Sequence, residues 1–246
     1  VDNEKDVKVL TNDITYFLNE EKILSKGNSK AITENIVIDA QNFNYDKLNN
    51  VLNANDNVKL VDNEKDVKVL TNDITYFLNE EKILTDGYTQ AIIKEGYNFE
   101  SSDVLYLRNN FELSSQKKST ILDLEKNIYE LEKFNYQTNK QFLRGKNIKV
   151  FTNSEGKKSD TYFFSEGFFD FLNKNFISKD TKIIAHKDIF KNQENDPRIY
   201  GSSSSGDENK TIINKGIFTS CKIKDTCPDW SIKANKITHD KIKKEM

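Results

Sequence analysis

The 246-residue chain is short of the residues that punctuate most folds: 9 glycines, 2 prolines, 2 cysteines and one tryptophan. So little proline excludes collagen-like and proline-rich linker architectures, and glycine is scarce for a chain built on tight glycine turns. Two cysteines cannot staple a fold of this length. Neither sign of charge dominates: 37 Lys+Arg against 39 Asp+Glu leave a net charge of −2, without the basic surplus of a nucleic-acid binder. No apolar run approaches the about 18 residues that cross a bilayer as a helix. Hydrophobic residues reach only 36%, and the mean hydropathy is −0.73. Aromatics are what the chain does have, 16 Phe and 10 Tyr, which is unlike a disordered polypeptide. A folded protein with a thin core is expected. The chain starts without Met, carries no basic-then-apolar leader and ends on Lys243-Lys244-Glu245-Met246, so it reads as a fragment or a processed piece.

The sequence repeats itself. Val1 to Leu24 recurs letter for letter as Val61 to Leu84, an offset of 60 residues. A looser repeat runs beneath it: Tyr16, Tyr45, Tyr76, Tyr106 and Tyr136 are spaced by 29, 31, 30 and 30 residues in similar phrases. The exact duplication therefore spans two loose units and keeps register, as stacked repeats require. Within units the pattern alternates, as in Ile36-Val37-Ile38, Phe43-Asn44-Tyr45, Val58-Lys59-Leu60, Phe134-Asn135-Tyr136 and Ile148-Lys149-Val150. Alternation marks strands with one dry and one wet face, and Asn/Asp/Lys/Gly clusters separate them. Ser119 to Lys133 fits a helical spacing as well, but two strands fit the neighbouring unit better. The expected architecture is all-β, a repeat-built sheet in two-strand units of about 30 residues.

A sheet folded over on itself would close its apolar face into a sandwich or leave it as a V-shaped trough. For any one residue the plain reading is core; for the whole face, rich in large aromatics, a trough for a hydrocarbon chain gains weight. The candidate lining is Ile36, Ile38, Phe43, Tyr45, Val58, Leu60, Ile74, Tyr76, Tyr106, Phe134, Tyr136, Ile148 and Val150. Lys146, Lys149 and Arg144 are candidates to meet phosphates at its rim. Elsewhere, Glu80-Glu81 and Glu95 to Glu100 read as solvated turns, and Gly201 to Gly206 (GlySerSerSerSerGly) as a flexible polar loop.

No nucleophile elbow, P-loop, Rossmann fingerprint or HExxH occurs, so no enzymatic activity, cofactor or metal is expected. A β-helix lyase or glycosidase is the enzyme alternative, but its coils are usually shorter than about 30 residues and no acid pair recurs at such a spacing. Cys221 and Cys227 lie too far apart for common zinc spacing, and only His186 and His239 could join them. A redox pair would need C-x-x-C, and a disulfide is the third reading.

The C-terminal stretch is the most specific. Thr219, Cys221, Cys227, Trp230, Ala234, Ile237, Thr238, His239 and Asp240 resemble the segment that precedes the barrel in the LptD (OstA, organic-solvent-tolerance) family of lipopolysaccharide-assembly proteins. Asp39 to Asp46 and Leu143 to Val150 look like that family's repeats. The resemblance implies one periplasmic β-jellyroll over residues 1–246, V-shaped and open as a groove, without the family's outer-membrane barrel. It implies lipopolysaccharide as ligand and a location at the periplasmic face of the outer membrane. It implies an OstA-like bridge protein added at an edge strand, and the barrel with its lipoprotein plug, as partners. It implies that the cysteines pair with cysteines of the barrel; in this fragment they are expected to pair with each other or remain free. A free-standing periplasmic carrier of the same fold is the runner-up, and a surface β-repeat adhesin with no lipid ligand the reading from another class. His239 aligns with the repeat tyrosine and is expected to pack.

Overall fold

A computed structural model describes residues 7–94, 96–153, 160–187, 195–222, 230–240, 242–243 and 245. Every regular element among them is a β-strand, and each recorded pairing is antiparallel. The chain resolves into two compact units: Val1–Ser119 with Gln137–Asn139, and Thr120–Tyr136 with Lys140–Met246.

The first unit holds β1 (Lys8–Leu10), β2 (Asp13–Phe17), β3 (Lys22–Ile32), β4 (Ile36–Asp46), β5 (Val51–Asp62), β6 (Val67–Phe77), β7 (Lys82–Ile93), β8 (Tyr97–Ser102), β9 (Leu105–Leu107) and β10 (Glu112–Ser115). Strands β2 to β8 form a meander, each hydrogen-bonded to the next. Buried positions alternate along them, as in Leu52, Ala54, Val58 and Leu60 of β5, so each strand gives one face to the interior.

Short turns close the hairpins, and several end in a residue with positive φ, among them Glu21, Asn50, Glu81 and Phe111 here, and Gln141 and Lys174 in the second unit. A backbone ladder joins successive turns. Lys47 N–H donates to Glu21 O, Leu78 N–H to Asn50 O, Arg108 N–H to Glu81 O and Thr138 N–H to Phe111 O. This ladder is the physical content of the 30-residue tyrosine spacing, because each tyrosine stands shortly before such a turn.

Long strands are bent in the middle. The β3–β4, β4–β5, β5–β6 and β6–β7 ladders each shift register near mid-strand. Left-handed residues sit there: Asn28, Asp56, Asn57 and Gly87. Asn and Asp tolerate this conformation best after glycine, which is how so glycine-poor a chain makes its bends. The bend is sharp enough to bring opposite strand ends together. Asp62 stands beside Val67 at one end of the β5–β6 pair, whereas Arg108 follows Leu107, which is in register through Lys82 with Phe77 at the other. Straight, β6 would hold these ends roughly 30 Å apart. Yet Arg108 Nε lies 2.6 Å from Asp62 Oδ2. The unit is a ribbon folded double, with two leaves and an apolar interior.

The second unit repeats this plan with β11 (Ser119–Leu122, begun in the first unit), β12 (Ile128–Leu131), β13 (Lys133–Gln137), β14 (Phe142–Phe151), β15 (Thr161–Asp170), β16 (Asn175–Ile184), β17 (Arg198–Gly206), β18 (Lys210–Thr219) and β19 (Ile232–Asp240). Strands β14 to β19 again pair in chain order. Left-handed Asn147, Asp180 and Lys215 mark the bends. The leaves meet through aromatic rings: Tyr129, in register with Val150, lies 5.2 Å from the ring of Phe169, which faces Leu143.

Residues 119–131 are two short strands, as the repeat register required. Three expectations need correction. GlySerSerSerSerGly is no loop but most of β17, paired on both sides. Its hydroxyls find partners inside: Ser204 Oγ is 2.6 Å from Ser178 Oγ and accepts from Thr181 Oγ1 at 2.8 Å. Gly201 is required there, because a Cβ would fall 2.3 Å from Ile213 Cγ2. Glu81 is no solvated turn residue: it is buried against Arg108. Residues Tyr97 to Glu100 belong to strand β8.

Candidate ligand groove and docking edge

All thirteen candidate lining residues are buried. Ile36, Ile38, Phe43, Tyr45, Val58, Leu60, Ile74, Tyr76 and Tyr106 fall in the interior of the first unit; Phe134, Tyr136, Ile148 and Val150 fall in that of the second. Alternation placed them on the right face. Val67 and Val69, and neighbours such as Leu52, Phe99 and Phe164, complete the same interiors. The interior expected as an open trough is filled in this structure by its own side chains. Fully burying each large side chain is worth about 1.5–3 kcal/mol, so the closed arrangement is well stabilised.

Lys146, Lys149 and Arg144 do not stand at a rim. They lie along β14 between its buried residues and face outward, Arg144 on Glu166 at 2.7 Å and Lys149 on Glu130 at 3.6 Å. The polar rim lies at the strand ends, and it was not legible locally because its members are far apart in sequence. In the first unit Arg108 is buried between Asp62 and Glu81. Its Nη2 donates to Asp62 Oδ1 and reaches Glu64 Oε2, both at 3.3 Å. Tyr106 OH donates to Asp62 Oδ2 at 2.9 Å, and Tyr76 OH to Glu81 Oε2 at 3.2 Å. Lys65 Nζ lies 4.2 Å over the Phe111 ring. Burial works against the Arg108 charge, but hydrogen bonding and attraction from Asp62 outweigh it and hold the guanidinium protonated. Burial, with the Asp62 carboxylate second, pushes the Tyr106 hydroxyl well up; burial raises Tyr76 as well.

The second unit has a looser counterpart. Lys174, in the β15–β16 turn, bridges to Glu125 of the β11–β12 turn at 2.7 Å and to Glu208 at 3.0 Å. Asp123 Oδ2 accepts from Tyr129 OH at 3.0 Å. Two surface depressions of the first unit are lined largely by Asp, Asn, Lys and Thr, such as Asp66, Lys68 and Lys94 in one and Asn55, Asp73 and Asp86 in the other. Neither has the lining of an acyl slot.

The exact duplication gives an internal control. Identical residues are exposed in the first copy and buried in the second: Ile14 54% against Ile74 3%, Tyr16 47% against Tyr76 1%, Leu18 76% against Leu78 0%. The cause is pairing. β6 lies between β5 and β7, whereas β1 and β2 pair with β3 alone among the described residues. With one neighbour the strand also breaks at Thr11–Asn12, where the second copy runs unbroken. In the second unit, β19 pairs among the described residues with β18 alone apart from an Asp240–Glu245 bridge. Its Ile237 and His239 are only half-buried, while the aligned Phe43 and Tyr45 are buried. Among the described residues the first unit thus presents an apolar strand edge at β1 and β2.

Cys221 Sγ lies 3.7 Å from Trp230 O, and its carbonyl accepts from Arg198. Cys227 lies outside the described residues, and so does the cysteine pairing. Among the described residues there is no cluster of metal-ligating side chains.

These observations define an all-β protein of antiparallel two-strand repeats, bent over aliphatic and aromatic interiors. No family model matches the chain, and no curated protein matches it. Among solved structures it is similar to LptH of Pseudomonas aeruginosa, described as the LptA homologous periplasmic component of the conserved lipopolysaccharide transport device. That likeness has 14% identity, covers 59% of this chain and 85% of that one, and has a TM-score of 0.36.

Proposed function

We propose that the chain is the periplasmic β-jellyroll domain of an outer-membrane lipopolysaccharide-assembly protein of the LptD/OstA kind. It takes acyl chains between its leaves and passes them toward a β-barrel, without catalysing a reaction. The observation that carries this reading is the ribbon folded double, within each unit, around an aliphatic and aromatic interior, with leaf ends of the first unit held together by side chains. Such an interior can exchange its own packing for hydrocarbon at about 25 cal/mol per Å². The Thr219, Cys221, Trp230, Ala234, His239 and Asp240 phrase supports the assembly protein over a free-standing carrier. The β1–β2 edge supports partnership with a bridge protein of similar architecture, whose terminal strand would stand where β5 stands beside β6. The thirteen interior residues are the proposed acyl contacts.

The test is photo-crosslinking from Tyr45, Tyr76, Tyr106 and Tyr136, each replaced by a photoreactive phenylalanine, against lipopolysaccharide. Adducts are expected at several of the four, and none at the exposed Tyr16. A second reading, a surface repeat protein whose interior is only core, is favoured by how completely the interior is filled. Absence of adducts at all four sites would select it.

A further inference from the structure

We propose that the seam between the β5–β6 turn and the β9–β10 turn is the ligand entrance of the first unit, with Arg108 as its latch: the guanidinium exchanges Asp62 for the phosphate of an anionic amphiphile as the leaves part. The inference rests on the acyl-binding reading above. The seam is where the two leaves meet at their ends, and the ties recorded across it are side-chain contacts: Arg108 and Tyr106 on Asp62, Arg108 on Glu64, and Lys65 on the Phe111 ring. Neighbouring strands, in contrast, are joined by whole backbone ladders, such as Val51 to Asp62 along Phe77 to Val67. Opening the seam is therefore the motion that reaches the interior while leaving every ladder intact.

The choice of residues supports a moving part. Asp62 and Glu81 flank one guanidinium, and a buried ionic group of this kind is often no more stable than apolar residues of equal volume. Its advantage is that its partner can be replaced. A guanidinium matches phosphate in the same bidentate manner as carboxylate. Lys65, one turn away and paired with Glu64 at 2.6 Å, supplies a second cation at the same opening.

The test uses the full chain carrying Cys221→Ser and Cys227→Ser. Lys65→Cys and Phe111→Cys are joined across the seam by a short bis-maleimide, and binding of purified hexa-acyl lipid A is titrated before and after joining. Joining is expected to weaken binding at least tenfold. Asp62→Asn, which keeps the shape and loosens the latch, is expected to bind roughly tenfold tighter, by raising the open fraction. Dephosphorylated lipid A should bind less well than lipid A. That preference should shrink several-fold in Asp62→Asn/Glu81→Gln/Arg108→Gln, which leaves Lys65 as the cation at the seam. Unchanged binding after joining would place the entrance elsewhere and overturn the inference while leaving the functional reading standing. A phosphate preference undiminished in the triple variant would overturn the role of Arg108. No binding by the unjoined protein would overturn the functional reading itself, and the entrance with it.

Discussion

Tyr16 and Tyr76 share their neighbours in sequence for many residues on either side, and they have opposite environments. Whatever distinguishes them is tertiary. Ile74→Ala is accordingly expected to cost about 2–5 kcal/mol in urea unfolding, the range for a large buried aliphatic, while Ile14→Ala should stay within about 0.5 kcal/mol. Tyr76→Phe removes the hydrogen bond to Glu81 and should cost about 1 kcal/mol; Tyr16→Phe should cost nothing measurable. Sequence alone could not rank the two copies, because a period-two pattern says which face is apolar and not whether anything covers it. The same gap hid the rim. Asp62 and Arg108 are 46 residues apart, and no local pattern announces their meeting.

Strands and turns were the most legible elements. Phe134-Asn135-Tyr136 alternates and Ile36-Val37-Ile38 nearly does, and both lie on strands with the expected faces buried. The serine run was misread because serine and glycine score as loop formers. In β17 they serve a crowded bend instead, where Ser204 pairs with Ser178 and Gly201 leaves room for Ile213. Bends also depend on left-handed residues, which makes them testable one position at a time. A Cβ at Gly87 meets nothing within 4 Å, so Gly87→Ala should cost only its positive φ, about 1 kcal/mol. Lys215, held at φ 48°, has no such excuse; Lys215→Gly should leave stability unchanged or raise it by up to about 1 kcal/mol. Thermal unfolding of both variants checks the pair. A large loss in Lys215→Gly would mean that the bend is not strained.

Over the whole molecule the buried tyrosines set a limit on alkaline stability. Burial raises Tyr76, Tyr106, Tyr129 and Tyr162 above their ordinary value of 10.0, with nearby carboxylates adding to the rise. A raised folded value contributes stability that is fully present below pH 10 and is lost as pH climbs toward the folded values. Unfolding midpoints in urea should therefore hold between pH 7 and 9 and fall steadily above pH 10. A flat profile through pH 11 would show that these hydroxyls ionise as freely in the folded protein as in the unfolded chain.

Residues 7–24 and their identical counterparts 67–84 stand four strands apart in one meander, and the second copy is hydrogen-bonded on both sides. At about 4.8 Å between strands, each 60-residue block of four strands lengthens the first unit by roughly 19 Å. A gene that gains or drops one block in frame would alter the reach of its product in fixed steps and leave the interior cross-section as it was. Reach, for this architecture, is a quantity that recombination can dial.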